Sequence, residues 1–487
     1  MNLRSFIFLL SLAFILSVVI DIVVYKNGLY AVSADESGRT LDAYEWVFHH
    51  QQFSDVWLPF YRVVVGTGLL IYPDLFFTPR IINFLFSIAA FLSLIWFSHE
   101  VFRNKEITVL SGFLWAVFPQ AVVLRVVPLS DIMFIAVVIA ACASFTRWIF
   151  KQHLLFLILA SMLFAVSSTI RYEGWIFSAV FVCCVPFFLL HDSPVSKRTL
   201  LFYSSLVAVI VSIFPAYWLW DNTVRTGNPF FFLGRTGKSF ALITQHSYLR
   251  LVWHNPVTQF LVQNVASFNL VGIISAATFA ASNTRIKKIM VFQLLVFVFL
   301  SIVAFAANTL PTHNSWRVPV VWSVALFPFT AVWLFQTVRT LPVPYRWMKG
   351  SIPALVLLTF SYQSYTATKT TAFTKEDRTM GEFFQHKLEN AKNTESKIFI
   401  ENPDWSYLHI LIASQHPHRF IANAGFNPKE STGYLLSPQG QLNEEAFRLK
   451  GIQWFAVTTD SMKCFFTKQE TIKRIRDFGA WSVFQFK

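Results

Sequence analysis

Apolar runs long enough to cross a bilayer recur along most of this chain, and nothing else limits its fold so sharply. Crossing about 30 Å of hydrocarbon takes roughly 17–25 helical residues. Runs of that kind are read at about 4–25, 79–98, 107–124, 131–150, 154–170, 175–190, 199–220, 258–281, 289–307, 318–338 and 351–367. The two shortest, 154–170 and 175–190, are also open to being tilted or partly re-entrant. The expected fold is a polytopic α-helical membrane protein of about eleven transmembrane helices. A chain with 55% hydrophobic residues, 14% charged residues and 54 phenylalanines has the composition for it.

Short loops orient the helices, because Lys and Arg gather on the cytoplasmic side. Arg103/Lys105, Arg147/Lys151, Lys197/Arg198, Arg285/Lys287/Lys288 and Arg339/Arg346/Lys349 occupy every second connection. The connections between them carry one basic residue each: Arg125, Arg171 and Arg317. With Arg4 inside, eleven spans place the N-terminus in the cytoplasm and the C-terminal tail outside. Expected domains are a transmembrane part, 1–368, and a soluble extracytoplasmic part, 369–487. The expected location is a bacterial inner membrane.

The net charge of +14 is divided unevenly. Residues 371–487 hold 15 basic and 13 acidic side chains, leaving 25 and 13 for residues 1–370. The excess is the orientation signal and its contact with lipid headgroups. No basic stripe or motif of a nucleic-acid binder is present, so no nucleic-acid partner is expected. Cys142, Cys183 and Cys184 fall within spans and Cys464 is alone in the tail, which leaves no disulfide there and no zinc spacing. Val32-Ser33-Ala34 has the small residues of a signal-peptide cleavage site. The preceding apolar run is long and ends some ten residues upstream, so an uncleaved span is expected.

Two outer loops are long, 26–78 and 221–257. In the first, Leu41, Tyr44, Val47 and Phe48 recur at helical spacing opposite Asp42, Glu45 and His49, a pattern for a helix lying on the membrane surface. Trp57 to Tyr72 is broken by Arg62 and two glycines and reads as a juxtamembrane helix. The tail changes composition: Lys397–Ile400, Arg419–Ile421, Gln453–Val457 and Trp481–Phe486 read as strands, with helices near 376–391 and 467–477. A small α/β domain is expected there.

Chemistry concentrates at the outer ends of the spans. Asp35 and Glu36 form an adjacent acidic pair just after the first span, a costly placement at a membrane surface unless something uses it. Arg125 with Ser130/Asp131, Arg171-Tyr172-Glu173, Asp221/Asn222, and His313-Asn314-Ser315-Trp316-Arg317 gather on the same side. Each has a second reading. Ser33-x-x-Glu36 fits a capping box, in which Glu36 reaches back to its own helix start. Ser130 and Asp131 fit a cap on the fourth span. Arg171 fits a snorkelling arginine, Glu173 a helix-start acid and His313 a polar loop residue. Gly234-Arg-Thr-Gly237-Lys238-Ser239 fails as a nucleotide loop, because Phe232 stands at the first required glycine.

An odd set of about eleven spans, an Asp-Glu pair in the first outer loop and a surface helix after it resemble the GT-C fold. So do Trp57-Leu58-Pro59 leading into the second span, Pro128-Leu-Ser-Asp131 opening the fourth, and Thr169-Ile-Arg-Tyr-Glu-Gly174 between the fifth and sixth. This is the fold of polyprenyl-phosphate-sugar-dependent glycosyltransferases, such as protein O-mannosyltransferases and the aminoarabinose transferase of lipid A. The resemblance covers roughly residues 1–340. His313 to Arg317 before Val318-Pro319 is similar to the family's His/Arg-rich entry to a late span. The tail resembles the small extracytoplasmic domains of bacterial members.

The resemblance implies transfer of a sugar from a polyprenyl-phosphate donor to an extracytoplasmic acceptor hydroxyl, with inversion. Such a hydroxyl needs a carboxylate to take its proton, and Asp35 is the candidate base, with Glu36 beside it. The leaving lipid phosphate calls for fixed positive charge. Arg171 and Arg317 are the first candidates, and Arg225, Arg235, Lys238 and Arg250 looser ones. Asp131, Glu173 and His313 complete the expected substrate-binding set. Asp131 either orients the sugar or holds a divalent cation (Mg or Mn) with Asp35. Two other functions stand beside this one: a flippase or transporter of a lipid-linked glycan, and a glycan polymerase or ligase using a lipid-diphosphate donor. A transporter calls for charged or broken helices near mid-bilayer, of which the spans show almost none.

Overall fold

The computed structural model describes residues 1–51, 56–192, 196–234, 252–253, 255–267, 269–307, 315–340, 354–355, 358–359, 362, 372–390, 396–401, 405–422 and 444–487. In chain order the helices are α1 (Leu3–Lys26), α2 (Asp35–His49), α3 (Pro59–Ile71), α4 (Phe77–Phe102), α5 (Lys105–Val117), α6 (Pro119–Val126), α7 (Ser130–Lys151), α8 (Leu154–Ile170), α9 (Glu173–Asp192) and α10 (Lys197–Thr226). There follow α11 (Pro256–Ala266), α12 (Leu270–Ser282), α13 (Thr284–Ala307), α14 (Val320–Ala325) and α15 (Phe327–Thr340). The tail carries α16 (Lys375–Glu389), β1 (Lys397–Ile400), α17 (Tyr407–Ala413), β2 (Phe420–Ala422), α18 (Glu444–Leu449), β3 (Ile452–Val457), α19 (Asp460–Thr467), β4 (Ile472–Phe478) and β5 (Trp481–Phe486).

By packing, the chain forms two compact units that do not follow its order. The first is Met1–Lys26, Gln52–Tyr61 and Ile82–Lys369; the second is Asn27–Gln51, Arg62–Ile81 and Thr370–Lys487. Most of the first outer loop, Asn27–Gln51 and the stretch from Arg62, thus belongs to the same unit as the tail, while Gln52–Tyr61 belongs to the first.

The first unit is helical and integral to the membrane. Among the described residues seven helices are long and apolar enough to cross a bilayer, or nine if each of two bent pairs is one span. The expected runs at 107–124 and 258–281 fall on those pairs, α5/α6 and α11/α12. The run at 154–170 is the shorter helix α8, and 351–367 lies largely outside the described residues. Inside, Phe145, Phe164, Phe181 and Phe292 interlock, with ring centroids 4.8–5.8 Å apart across four of their pairs.

The bend of 65° between α5 and α6 has a local cause. Pro119 has no N–H to give the Trp115 carbonyl four residues back. Arg125 replaces it: Nη1 donates to Trp115 O at 2.7 Å and Nη2 to Ala116 O at 2.9 Å. Its charge is met by Asp21 of α1, 2.9 Å away. Arg125, counted in the sequence among the outer polar residues, is therefore a splint for a proline break. Arg125→Met leaves Asp21 and the Trp115 carbonyl without their partner in a low-dielectric interior, at a cost of about 3–5 kcal/mol. A marked fall in the thermal midpoint of the solubilised protein is expected, largely restored in Asp21→Leu/Arg125→Met; an unchanged midpoint in the single variant would contradict this role.

A second polar device joins α11/α12 to α14/α15. Asn264 Nδ2 donates to Ser323 Oγ at 2.9 Å, Asn269 Nδ2 to Asn264 Oδ1 at 2.6 Å, and Thr330 Oγ1 to Asn269 Oδ1. All four residues are buried. Satisfying one another is what makes these amides tolerable between apolar helices.

The second unit is built on a five-stranded sheet of order β2-β1-β3-β5-β4. β1 pairs parallel with β2 and β3, and β5 pairs antiparallel with β3 and β4. Alternate residues face opposite sides, as strand geometry requires. Ile398, Ile400, Trp454 and Ala456 pack with Met380, Phe384 and Ile410 of α16 and α17. Phe399, Phe455 and Val457 pack with Phe447, Phe466 and Phe484 on the other side. The helix expected near 467–477 is replaced by α19, which ends at Thr467, and by strand β4. Ile472 and Ile475, three residues apart among charges, imitate a helical face. Only the ends of β4 are buried, and Lys473 to Asp477 are exposed, as suits a charged edge strand.

His416 and His418, just before β2, have their pKa values held below the ordinary 6.5. Burial is the main cause at both; Glu389 opposes it at His416, while His416, Arg419 and His49 add to it at His418. The folded form thus prefers both rings neutral, and below pH 6.5 the unfolded chain binds more protons. The stability they contribute is fully present above that pH and is lost as the pH falls. Hydrogen exchange at β2, corrected for its intrinsic rate, is expected to show easier local opening as the pH drops from 7.5 to 5.5. The pH response should flatten in His416→Gln/His418→Gln, and an equal slope in that variant would assign it elsewhere.

Candidate active site

In the first unit four of the expected residues come together. Pro128 breaks the helical path, Leu129 is extended, and α7 opens at Ser130. Among the described residues no side chain caps this helix start, and the buried Ser130 hydroxyl finds no hydrogen-bond partner. The capping reading of Ser130/Asp131 is therefore replaced by another: the buried Asp131 carboxylate is ion-paired with Arg171. Arg171 stands at the extended C-cap of α8 and also forks onto Glu173, with Nη2 at 2.6 Å from Oε1 and Nε at 3.2 Å from Oε2. Arg317, buried at the end of a short 3-10 turn, places Nη1 3.9 Å from the other Asp131 oxygen. Asp131, Arg171, Glu173 and Arg317 form one cluster, with an Asp carboxylate between two guanidinium groups.

The Thr169–Gly174 motif shows why its residues stand in that order. A Cβ on Gly174 would lie 2.5 Å from the Ser167 carbonyl group and 2.7 Å from the Ser168 nitrogen. Those are backbone atoms that have no rotamer to move aside. Glycine lets α9 begin directly against the end of α8, and Trp175 Nε1 closes the turn on Ser168 O at 3.0 Å. Tyr172 stacks on Phe232 with centroids 4.5 Å apart, and its hydroxyl donates to Val56 O at 3.0 Å. Arg225 is ion-paired with Asp221 one helical turn away and lies over the Trp218 ring. Gln263 Nε2 donates to Trp316 O at 2.5 Å, tying the residue before Arg317 to α11. Arg235, Lys238, Arg250 and His313 lie outside the described residues.

In the second unit the acidic pair divides its labour. Glu36 is almost fully buried and turns back on the chain before its helix. Its Oε1 accepts Val32 N–H at 2.8 Å, and its Oε2 accepts Ser33 N–H at 3.2 Å and Ser33 Oγ–H at 2.7 Å. That reach back is one half of a capping box, but the residue before the helix is Ala34 and no described side chain caps it, so the Ser33-x-x-Glu36 reading is met only in part. Asp35, half-buried, gives its N–H to Ser33 Oγ at 3.2 Å. Asp35, Arg39, Asp42 and Trp46 share one stripe of α2. On that stripe Asp42 is ion-paired with Arg62 of α3, and Trp46 lies close against Gly66, where a Cβ would come within 2.8 Å of its ring. Ser37, nearly opposite Asp35, shares a 2.6 Å hydrogen bond with His409 of α17. That contact joins residues 372 positions apart, and no local pattern announces it.

The donor set does not favour a divalent ion. Among the described residues there is no group of three His, Cys, Asp or Glu side chains placed to hold one. Asp131 already lies between two guanidinium groups, which a cation would have to displace.

No protein-family model and no curated protein matches the chain. Solved structures do. ArnT from Cupriavidus metallidurans bound to undecaprenyl phosphate superposes with a TM-score of 0.60 at 11% identity, covering 97% of this chain and 97% of that one. The archaeal oligosaccharyltransferase AglB from Archaeoglobus fulgidus, in complex with an inhibitory peptide and a dolichol-phosphate, gives a TM-score of 0.54 at 13% identity, covering 93% and 69%. At these identities the likeness is one of fold, and the fold is GT-C.

Proposed function

We propose that this protein is a membrane glycosyltransferase that moves a sugar from a polyprenyl-phosphate donor to an acceptor hydroxyl outside the cytoplasm. The observation that carries the reading is the buried Asp131–Arg171–Glu173–Arg317 cluster on a GT-C scaffold. Two of the similar structures hold lipid phosphates, undecaprenyl phosphate in ArnT and dolichol-phosphate in AglB. The match in length to ArnT, tail included, supports a donor of that kind.

In the proposed reaction the acceptor oxygen attacks the anomeric carbon as its proton passes to Asp35. The bond from that carbon to the phosphate oxygen breaks, and its electron pair leaves with the lipid phosphate. One displacement from the opposite side inverts the anomeric centre. The growing charge on the phosphate is met by guanidinium. Arg171 is held by two carboxylates, with Glu173 gripping its fork; its role is to set the cluster's geometry. Arg317, at the end of the 3-10 turn and 3.9 Å from Asp131, is the candidate for the phosphate itself.

A donor comparison tests this. The reconstituted protein should turn over a polyprenyl-monophosphate sugar and be inhibited by free polyprenyl phosphate. Turnover confined to lipid-diphosphate glycans would replace this reading with that of a polymerase or ligase.

A further inference from the structure

We propose that the tail domain positions the proposed base, and that His409 is a positioning residue acting on α2 through Ser37. The inference rests on the reading of Asp35 as the base.

Ser37 and Leu41 lie one turn apart on α2, on the same face. Both meet the tail. Ser37 Oγ lies 2.6 Å from His409 Nδ1, with both residues buried to within 1% of full burial. Leu41 packs on the core formed by α16, α17, β1 and β3. His409 is itself fixed, with its ring stacked on Phe373 at 4.7 Å and an interplanar angle of 12°. Phe373 is in turn ringed by Tyr30 and Phe76 at 5.7 and 6.0 Å. Beside it, Ala372 N donates to Ala31 O at 2.8 Å, in the strand of chain that leads into Asp35.

Two steps along a helix turn it by about 200°, so Ser37 and Asp35 point to nearly opposite sides. A polar contact at Ser37 therefore sets the rotation of the first turn and with it the direction of the Asp35 carboxylate. Glu36 fixes the same turn along its axis by gripping Val32 and Ser33. Apolar packing at Leu41 alone would tolerate small rotations; a buried hydrogen bond of 2.6 Å does not. A base displaced by a fraction of an ångström loses turnover before it loses donor affinity.

The test uses the full-length protein in proteoliposomes, with Ser37→Ala, His409→Phe, His409→Asn, Ser37→Ala/His409→Phe and Asp35→Asn. His409→Phe keeps a ring on Phe373 and removes the hydrogen-bonding atom. His409→Asn keeps a polar atom near Nδ1 and removes the ring. Polyprenyl-phosphate binding counts the folded fraction. Positioning predicts that Ser37→Ala and His409→Phe each lower kcat at least tenfold, with donor KM within twofold. The double variant should be no worse than the poorer single, and His409→Asn should recover most of the loss. A purely structural contact would lower the thermal midpoint and leave kcat per folded molecule at the wild-type value. That result in Ser37→Ala, beside an inactive Asp35→Asn, overturns the inference and leaves the base in place. An active Asp35→Asn overturns both.

Discussion

Asp35→Asn is expected to reduce transfer by about 10²–10⁴-fold, the range in which loss of a general base is felt, while expression and donor binding stay near wild type. The substitution keeps the shape of the side chain and removes only its capacity to take a proton. Glu36→Gln should behave differently. Its carboxylate accepts from two backbone amides and a hydroxyl, so weakening it loosens the start of α2 by about 0.5–2 kcal/mol. Partial activity with lowered thermal stability is the expected result. Kinetics and thermal midpoints of the two variants, measured side by side, check the division of labour. Equal and complete loss from both would mean the pair acts jointly, and full activity in Asp35→Asn would remove it as the base.

The second large effect is expected at the two arginines, and the structure separates them. Arg317→Lys keeps the charge and loses the planar fork that suits phosphate oxygens. It should raise the donor KM and lower kcat, together by tenfold or more in kcat/KM, with the thermal midpoint unchanged. Arg171→Lys loses the fork to Glu173 as well as its alignment with Asp131. Because it leaves buried carboxylates poorly matched, the midpoint should fall alongside the rate. Steady-state kinetics against donor concentration, paired with thermal unfolding, distinguish the two patterns. Wild-type kinetics in both variants would take the arginines out of the site.

Hydropathy was enough to find the seven long apolar helices among the described residues, because length and apolarity are properties of each segment alone. It did not find the bend at Pro119 as a bend. Proline announced a break, but Arg125, which makes it tolerable from six residues on, has its charge met by Asp21 on a different helix, α1. β4 was misread for a related reason: an edge strand takes its hydrogen bonds from β5, while its own sequence carries only the spacing of Ile472 and Ile475. Proximity of Asp131, Arg171, Glu173 and Arg317 was foreshadowed by their common place at helix ends on one side of the bundle. Their pairing was not, since a capping carboxylate and an ion-paired one look alike in sequence. The inclusion of α2 in the tail's unit was illegible. Ser37 and His409 are ordinary residues whose meaning comes from the contact between them.

In the proposed reaction the sugar leaves its lipid phosphate. The most direct measurement follows a radiolabelled sugar on polyprenyl phosphate in proteoliposomes carrying the protein and an acceptor-bearing membrane extract. Transfer predicts that label appears on the acceptor while free polyprenyl phosphate accumulates in equal amount, and that neither happens with Asp35→Asn. Label that changes leaflet but remains on its phosphate would contradict it and assign the protein to transport.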